Sequence, residues 1–109
     1  MGRIEGEEMK IVTIPFMDNF KDAMLDGRKI MTCRSKAYGK FEDVFCIFGA
    51  SFMLTAVYKV KLGYVAWNCF AKEGCKDGDE FIEIWNKLHP RKGYNSEAIV
   101  FAHEFVRVE

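Results

Sequence analysis

From Ile11 onward, apolar and polar positions follow local periods that change along the chain. Ile11–Pro15 is short, β-branched and closed by proline, which predicts a first strand. Asp18 stands where an N-cap belongs, ahead of a short helix towards Leu25 with Phe20, Ala23 and Met24 on one face, and Gly27 is placed to end it. Ile30–Arg34 alternates as a strand, with Ile30, Thr32 and Arg34 on one face and Met31 and Cys33 on the other. Ser35–Lys40 reads as a basic loop, Val44–Phe48 as a strand apolar on both faces, and Gly49–Ser51 as a turn. The clearest alternation is in Phe52–Leu62. Phe52, Leu54, Ala56, Tyr58, Val60 and Leu62 point one way and Thr55, Lys59 and Lys61 the other, predicting one core face and one wet face.

After Gly63 the period lengthens, and Val65–Ala71 predicts a short helical piece carrying Trp67 and Phe70. Asp77, followed three residues later by Glu80, makes a capping-box-like start. Phe81, Ile84, Trp85 and Leu88 then recur at helical spacing until His89-Pro90 stops the helix. Ile99–Val108 predicts a last strand, with Phe101, His103 and Phe105 on one face and Val100, Ala102 and Val106 on the other. Strands joined by short turns favour antiparallel pairing, and about five twisted strands covered by two helices tend to curl. The predicted architecture is a β-barrel-like α+β domain over residues 11–109, preceded by a flexible polar tail over residues 1–10.

Composition narrows the picture. With 109 residues, half of them hydrophobic, and ten phenylalanines, the chain has material for one core. Basic and acidic residues number 16 each, so no global field draws it to nucleic acid or anionic lipid, and any such contact has to come from a local patch. Apolar runs are only a few residues long, and acids occupy the place of a signal peptide's apolar stretch. A cytoplasmic protein with no membrane contact is expected. Cys33, Cys46, Cys69 and Cys75 lie outside CxxC spacing and read as free thiols. The gap between Cys69 and Cys75 does not suit a structural zinc site with a histidine, so neither metal nor cofactor is expected. Absence of glutamine beside abundant Lys, Glu and Phe is a bias of proteins from hot environments. The oligomeric state is left open, a monomer included.

One local patch exists. Between Asp26 and Glu42 lie Arg28, Lys29, Arg34, Lys36 and Lys40 with no acid, and Tyr38 adds a ring on which a base could stack. Gly27 turns the helix into the strand, and Thr32 and Arg34 offer a hydroxyl and a rigid donor fork on one face. Lys29 and Thr32 converge only if Lys29 still belongs to the preceding turn. His103 reads as a hydrogen-bonded core residue, His89 as a helix-end residue, and Trp67 and Trp85 as core anchors, with Trp67 able to stack a base if exposed. Lys87, Arg91 and Lys92 form a second basic cluster where cations favour the helix dipole.

The stretch Gly27, Lys29, Thr32 and Arg34, spaced Gly-x-Lys-x-x-Thr-x-Arg, resembles the signature of the ASCH family, relatives of the PUA RNA-binding fold. The likeness extends from about Ile11 to Val108. It takes in the strand Val44–Phe48, opened here by Glu42-Asp43 in place of the usual Gly-Asp, the Leu-His-Pro helix end, and the aromatic-rich final strand. The resemblance implies a PUA-like barrel of five to six mostly antiparallel strands and two or three helices, with a cleft bordered by Gly27–Arg34. It implies RNA or nucleotide binding, with Gly27, Arg28, Lys29, Arg34, Lys36 and Tyr38 as contact residues. It also implies an alternative, because one branch of the family hydrolyses N4-acetylcytidine with the signature lysine and threonine and a glutamate before the second helix. Lys29 and Thr32 match the first two, and Glu73 is nearest to the third, one residue from the gap-free position at Gly74. Such chemistry needs Thr32 as nucleophile, Lys29 as proton acceptor and a carboxylic acid to protonate the leaving amine.

Overall fold

The computed structural model describes residues 9–109, so nearly all of the predicted N-terminal tail lies outside the described residues. Four antiparallel strands form one sheet in the order β1-β4-β3-β2, with β1 Met31–Arg34, β2 Val44–Ile47, β3 Ala50–Lys61 and β4 Ile99–Arg107. Three helices accompany them: α1 Lys21–Leu25, α2 Leu62–Asn68 and α3 Gly78–Leu88. This is a small α+β fold.

The described strands number four where five or six were expected. Ile11–Pro15 is not a strand. Ile11 makes a single parallel bridge to Val44, and the chain then leaves the edge of β2 so that Ile14 can bury in the core. Pro15 has no N–H with which to continue a ladder. The β2–β3 hairpin is tighter than expected, because Ile47 pairs directly with Ala50. Its two turn residues, Phe48 and Gly49, both take the left-handed conformation that matches strand twist, at φ 56° and 75°.

The long alternation in β3 hides a change of face. Register slips between Leu54 and Ala56, so Thr55 is an extra residue in the ladder and the side chains beyond it swap sides. Phe52 and Leu54 join Phe45, Phe105, Met24 and Ile14 in one cluster. Tyr58 and Val60 pack instead against the other, which holds Met31, Cys33, Ala102, Val65 and Phe81. Both faces of the sheet are therefore covered, one by the N-terminal segment and α1, the other by α2 and α3.

The helices follow their sequence signals unevenly. Asp77 caps α3, its Oδ1 accepting the Glu80 N–H at 2.8 Å. Gly78 lets α3 approach α2 closely, since a Cβ there would sit 2.3 Å from the Trp67 ring. Asp18 does not act as an N-cap. It opens a single 3-10 turn, Asp18–Phe20, whose N-cap position is Met17, and α1 follows directly. Gly27, at φ 85°, ends that helix as expected.

Candidate functional site

The free edge of β1 forms the floor of a cavity of about 340 Å³. Pro15, Phe16, Met17 and Phe20 wall it on one side of the sheet, and Phe81, Ile84, Trp85, Leu88 and His89 on the other. Lys29, Thr32, Cys33, Arg34, Glu73 and Cys75 complete the lining, so the polar groups lie low between apolar walls.

Lys29 is brought there by the turn after α1. Gly27 reverses the chain, the Lys29 N–H bonds to Ala23 O at 2.9 Å, and Lys29 forms an antiparallel bridge with Glu73. Its position before the regular strand is what allows it to share a cavity with Thr32. Gly74 makes the bridge possible, because it sits at φ 86° and a Cβ there would meet Lys29 Cβ at 3.1 Å. Lys29 is only 2% exposed. Its ammonium donates to Glu73 Oε1 at 2.8 Å, to Met31 O at 3.0 Å and to Glu73 O at 3.3 Å, and it lies 4.7 Å from the Phe20 ring centroid. Glu73 is also buried, and its Oε2 has no hydrogen-bond partner among the described residues.

Thr32 Oγ1 accepts a short hydrogen bond from Arg34 Nη1. Arg34 also donates to Cys33 O at 3.0 Å and to Pro15 O at 2.6 Å, and its guanidinium lies 4.9 Å from the Phe16 ring centroid. Burial holds its pKa below the ordinary guanidinium range. The Cys33 and Cys75 thiols are pushed up, Cys75 to about 11, by burial first and by the negative charge of Glu73 second. Both shifts favour the thiol over the thiolate at neutral pH.

The remaining residues named from sequence lie elsewhere. Gly27 shapes the turn without lining the cavity, and Arg28 is exposed and paired with Asp26 at 2.8 Å. Lys36 lies over the Tyr38 ring at 5.1 Å, and neither lines the cavity. His103 is fully buried. Its Nε2 accepts the Tyr38 N–H at 3.0 Å, so Nδ1 carries the proton and donates to Phe101 O, while burial lowers its pKa. Trp67 is exposed and stands outside the cavity. The wall formed by Phe16, Phe20, Trp85 and His89 was not expected from the sequence. Trp85, on α3, and His89, the residue that caps its C-terminus one turn later, are stacked with ring centroids at 4.1 Å, and their spacing was the available signal. All four cysteines are free, no described group of His, Cys, Asp and Glu could hold a metal ion, and no described helix is long and apolar enough to cross a membrane.

Neither a family model nor a curated protein matches the sequence. Solved structures do. An ASCH domain from Lactobacillus crispatus aligns over 91% of this chain and 79% of its own, with TM-score 0.59 and 13% identity. A point mutant of the Zymomonas mobilis ASCH protein aligns over 91% and 75%, with TM-score 0.60 and 11% identity. A protein from Enterococcus faecalis aligns over 92% and 79%, with TM-score 0.64 and 18% identity. The chain has the fold of the ASCH domains.

Proposed function

We propose that the cavity binds an acylated pyrimidine nucleoside and that Lys29, Thr32 and Glu73 hydrolyse its amide. The observation that carries this reading is the buried Lys29–Glu73 pair, 2.8 Å apart, on the floor of the cavity that Thr32 also lines. At about 340 Å³ the cavity is at the small end of ligand pockets, which suits one nucleoside. Its aromatic walls suit a planar base.

The pair can supply both protonic partners. Passing one proton from Lys29 Nζ to Glu73 Oε1 along their hydrogen bond gives a neutral amine beside a carboxylic acid, so that no separate formal charges are left to desolvate when a ligand expels water. Thr32 Oγ1 then attacks the acyl carbon, its proton going to Lys29 and the carbonyl electron pair to the oxygen. The tetrahedral intermediate collapses, the C–N bond breaks, and Glu73 protonates the departing amine. Water hydrolyses the acyl-threonine ester, which returns Thr32 and releases a carboxylic acid. Arg34 assists by donating to Thr32 Oγ1, which favours the alkoxide.

A second reading, binding of RNA or nucleotides, draws support from the Lys36–Tyr38 pair outside the cavity. It gains less from Lys29 and Arg34, whose donors already serve internal acceptors. Incubation of the protein with N4-acetylcytidine, followed by ultraviolet absorbance, separates the two. Turnover lost in Lys29→Ala supports the hydrolase. Salt-sensitive RNA binding without turnover supports the second reading.

A further inference from the structure

We infer that the backbone N–H of Cys33 binds the acyl oxygen of the ligand and stabilises the negative charge that develops on it. This rests on the hydrolase reading above. In an antiparallel ladder, residues alternate between pairs that exchange both backbone hydrogen bonds and pairs that exchange none. Phe105 N–H bonds to Ile30 O at 3.0 Å, and the register pairs Met31 with Glu104, Thr32 with His103 and Cys33 with Ala102. Ile30 O and the peptide groups of Thr32 thus face β4, the Ile30 N–H going instead to Lys72 O at 2.7 Å, whereas Met31 and Cys33 direct theirs to the free edge. The carbonyls agree: Met31 O accepts from Lys29 Nζ and Cys33 O from Arg34 Nη1, both donors lining the cavity.

These two contacts remove the acceptors of the edge and leave its amides. Cys33 itself lines the cavity, and outside the ladder no described backbone carbonyl accepts from its N–H. The edge therefore presents a fixed donor beside the Thr32 hydroxyl, supplied by the residue that follows the nucleophile. When Thr32 Oγ1 bonds to the acyl carbon, the electron pair displaced onto the acyl oxygen meets this N–H. A rigid donor between apolar walls needs no reorganisation as charge develops. The same capping of carbonyls makes the edge a poor template for an added strand, which would require acceptors as well as donors.

Cys33→Pro deletes the N–H at an edge position where proline breaks no ladder bond. Cys33→Ala keeps it. The expected result is a fall in kcat of about 10²–10³-fold for Cys33→Pro with KM nearly unchanged, and a change of only a few-fold for Cys33→Ala. Should the proline variant fail to fold, replacing the Thr32–Cys33 amide by an ester removes the same N–H. A second readout uses the inactive Thr32→Val protein with N4-acetylcytidine labelled at the acetyl carbonyl. The bound carbonyl stretch shifts to lower frequency, and the shift disappears when the position-33 N–H is removed. Binding without that shift, or a shift that survives loss of the N–H, overturns this inference and leaves the hydrolase reading standing. No binding of the probe overturns both.

Discussion

Replacing Lys29 by methionine keeps most of the side-chain volume and removes the charge. The lost contact is a 2.8 Å ion pair whose side chains are 3% and 7% exposed. At an effective dielectric constant of about 20 the attraction is about 6 kcal/mol, offset by several kcal/mol spent desolvating each ion. The variant keeps only the cost, because Glu73 Oε1 loses its charged partner and Oε2 has none among the described residues. Lys29→Met should therefore destabilise by about 3–5 kcal/mol, and Glu73→Leu by a similar amount, since the ammonium is then buried with no counter-ion, beside two carbonyls and the Phe20 ring. The double variant Lys29→Met/Glu73→Leu buries no charge and should lie within about 1 kcal/mol of wild type. Urea unfolding followed by circular dichroism measures all three. Single-variant losses below about 1 kcal/mol, or a double-variant loss equal to their sum, would refute the buried pair as described.

Gly78→Ala places a Cβ 2.3 Å from the Trp67 ring and 2.6 Å from Ala66 O, so a loss of about 2–3 kcal/mol is expected, read as a fall in melting temperature of roughly 10–20 °C. His103 gives a pH dependence whose sign follows from its lowered folded pKa. Below the unfolded value near 6.5 the unfolded chain binds a proton that the folded one resists, so stability is full above that pH and falls as pH drops towards the folded pKa, by up to about 1.4 kcal/mol per unit. The slope should vanish in His103→Leu.

Much of this architecture could be read from local sequence, because local interactions decide it. Gly27 had to end a helix, Asp77 had to begin one, and Thr32 and Arg34 had to share a face. What escaped depended on distant residues. Nothing in the local pattern of β3 marks Thr55 as an extra residue. Thr55 and Ala56 are tolerated on either face, so the switch that sends Phe52 and Tyr58 into different clusters appears only against β4. The cavity wall was hidden for the same reason, since Phe16 and Phe20 come to line one cavity with Trp85 only in the folded chain. The position of Glu73 has a local cause that becomes visible in three dimensions. Position 74 takes a left-handed turn against Lys29, which favours glycine there, and Glu73 is the residue that bridges to Lys29.

The central claim, that Thr32 attacks while Lys29 and Glu73 move the protons, is tested most directly by quenching the protein during turnover of N4-acetylcytidine and digesting it with trypsin. Cleavage after Lys29 and Arg34 isolates the peptide Ile30–Arg34. The expected product is that peptide carrying one acetyl group on Thr32, formed in the wild type and absent in Lys29→Ala. An unmodified peptide during sustained turnover, or an acetyl group on Cys33, would contradict the account.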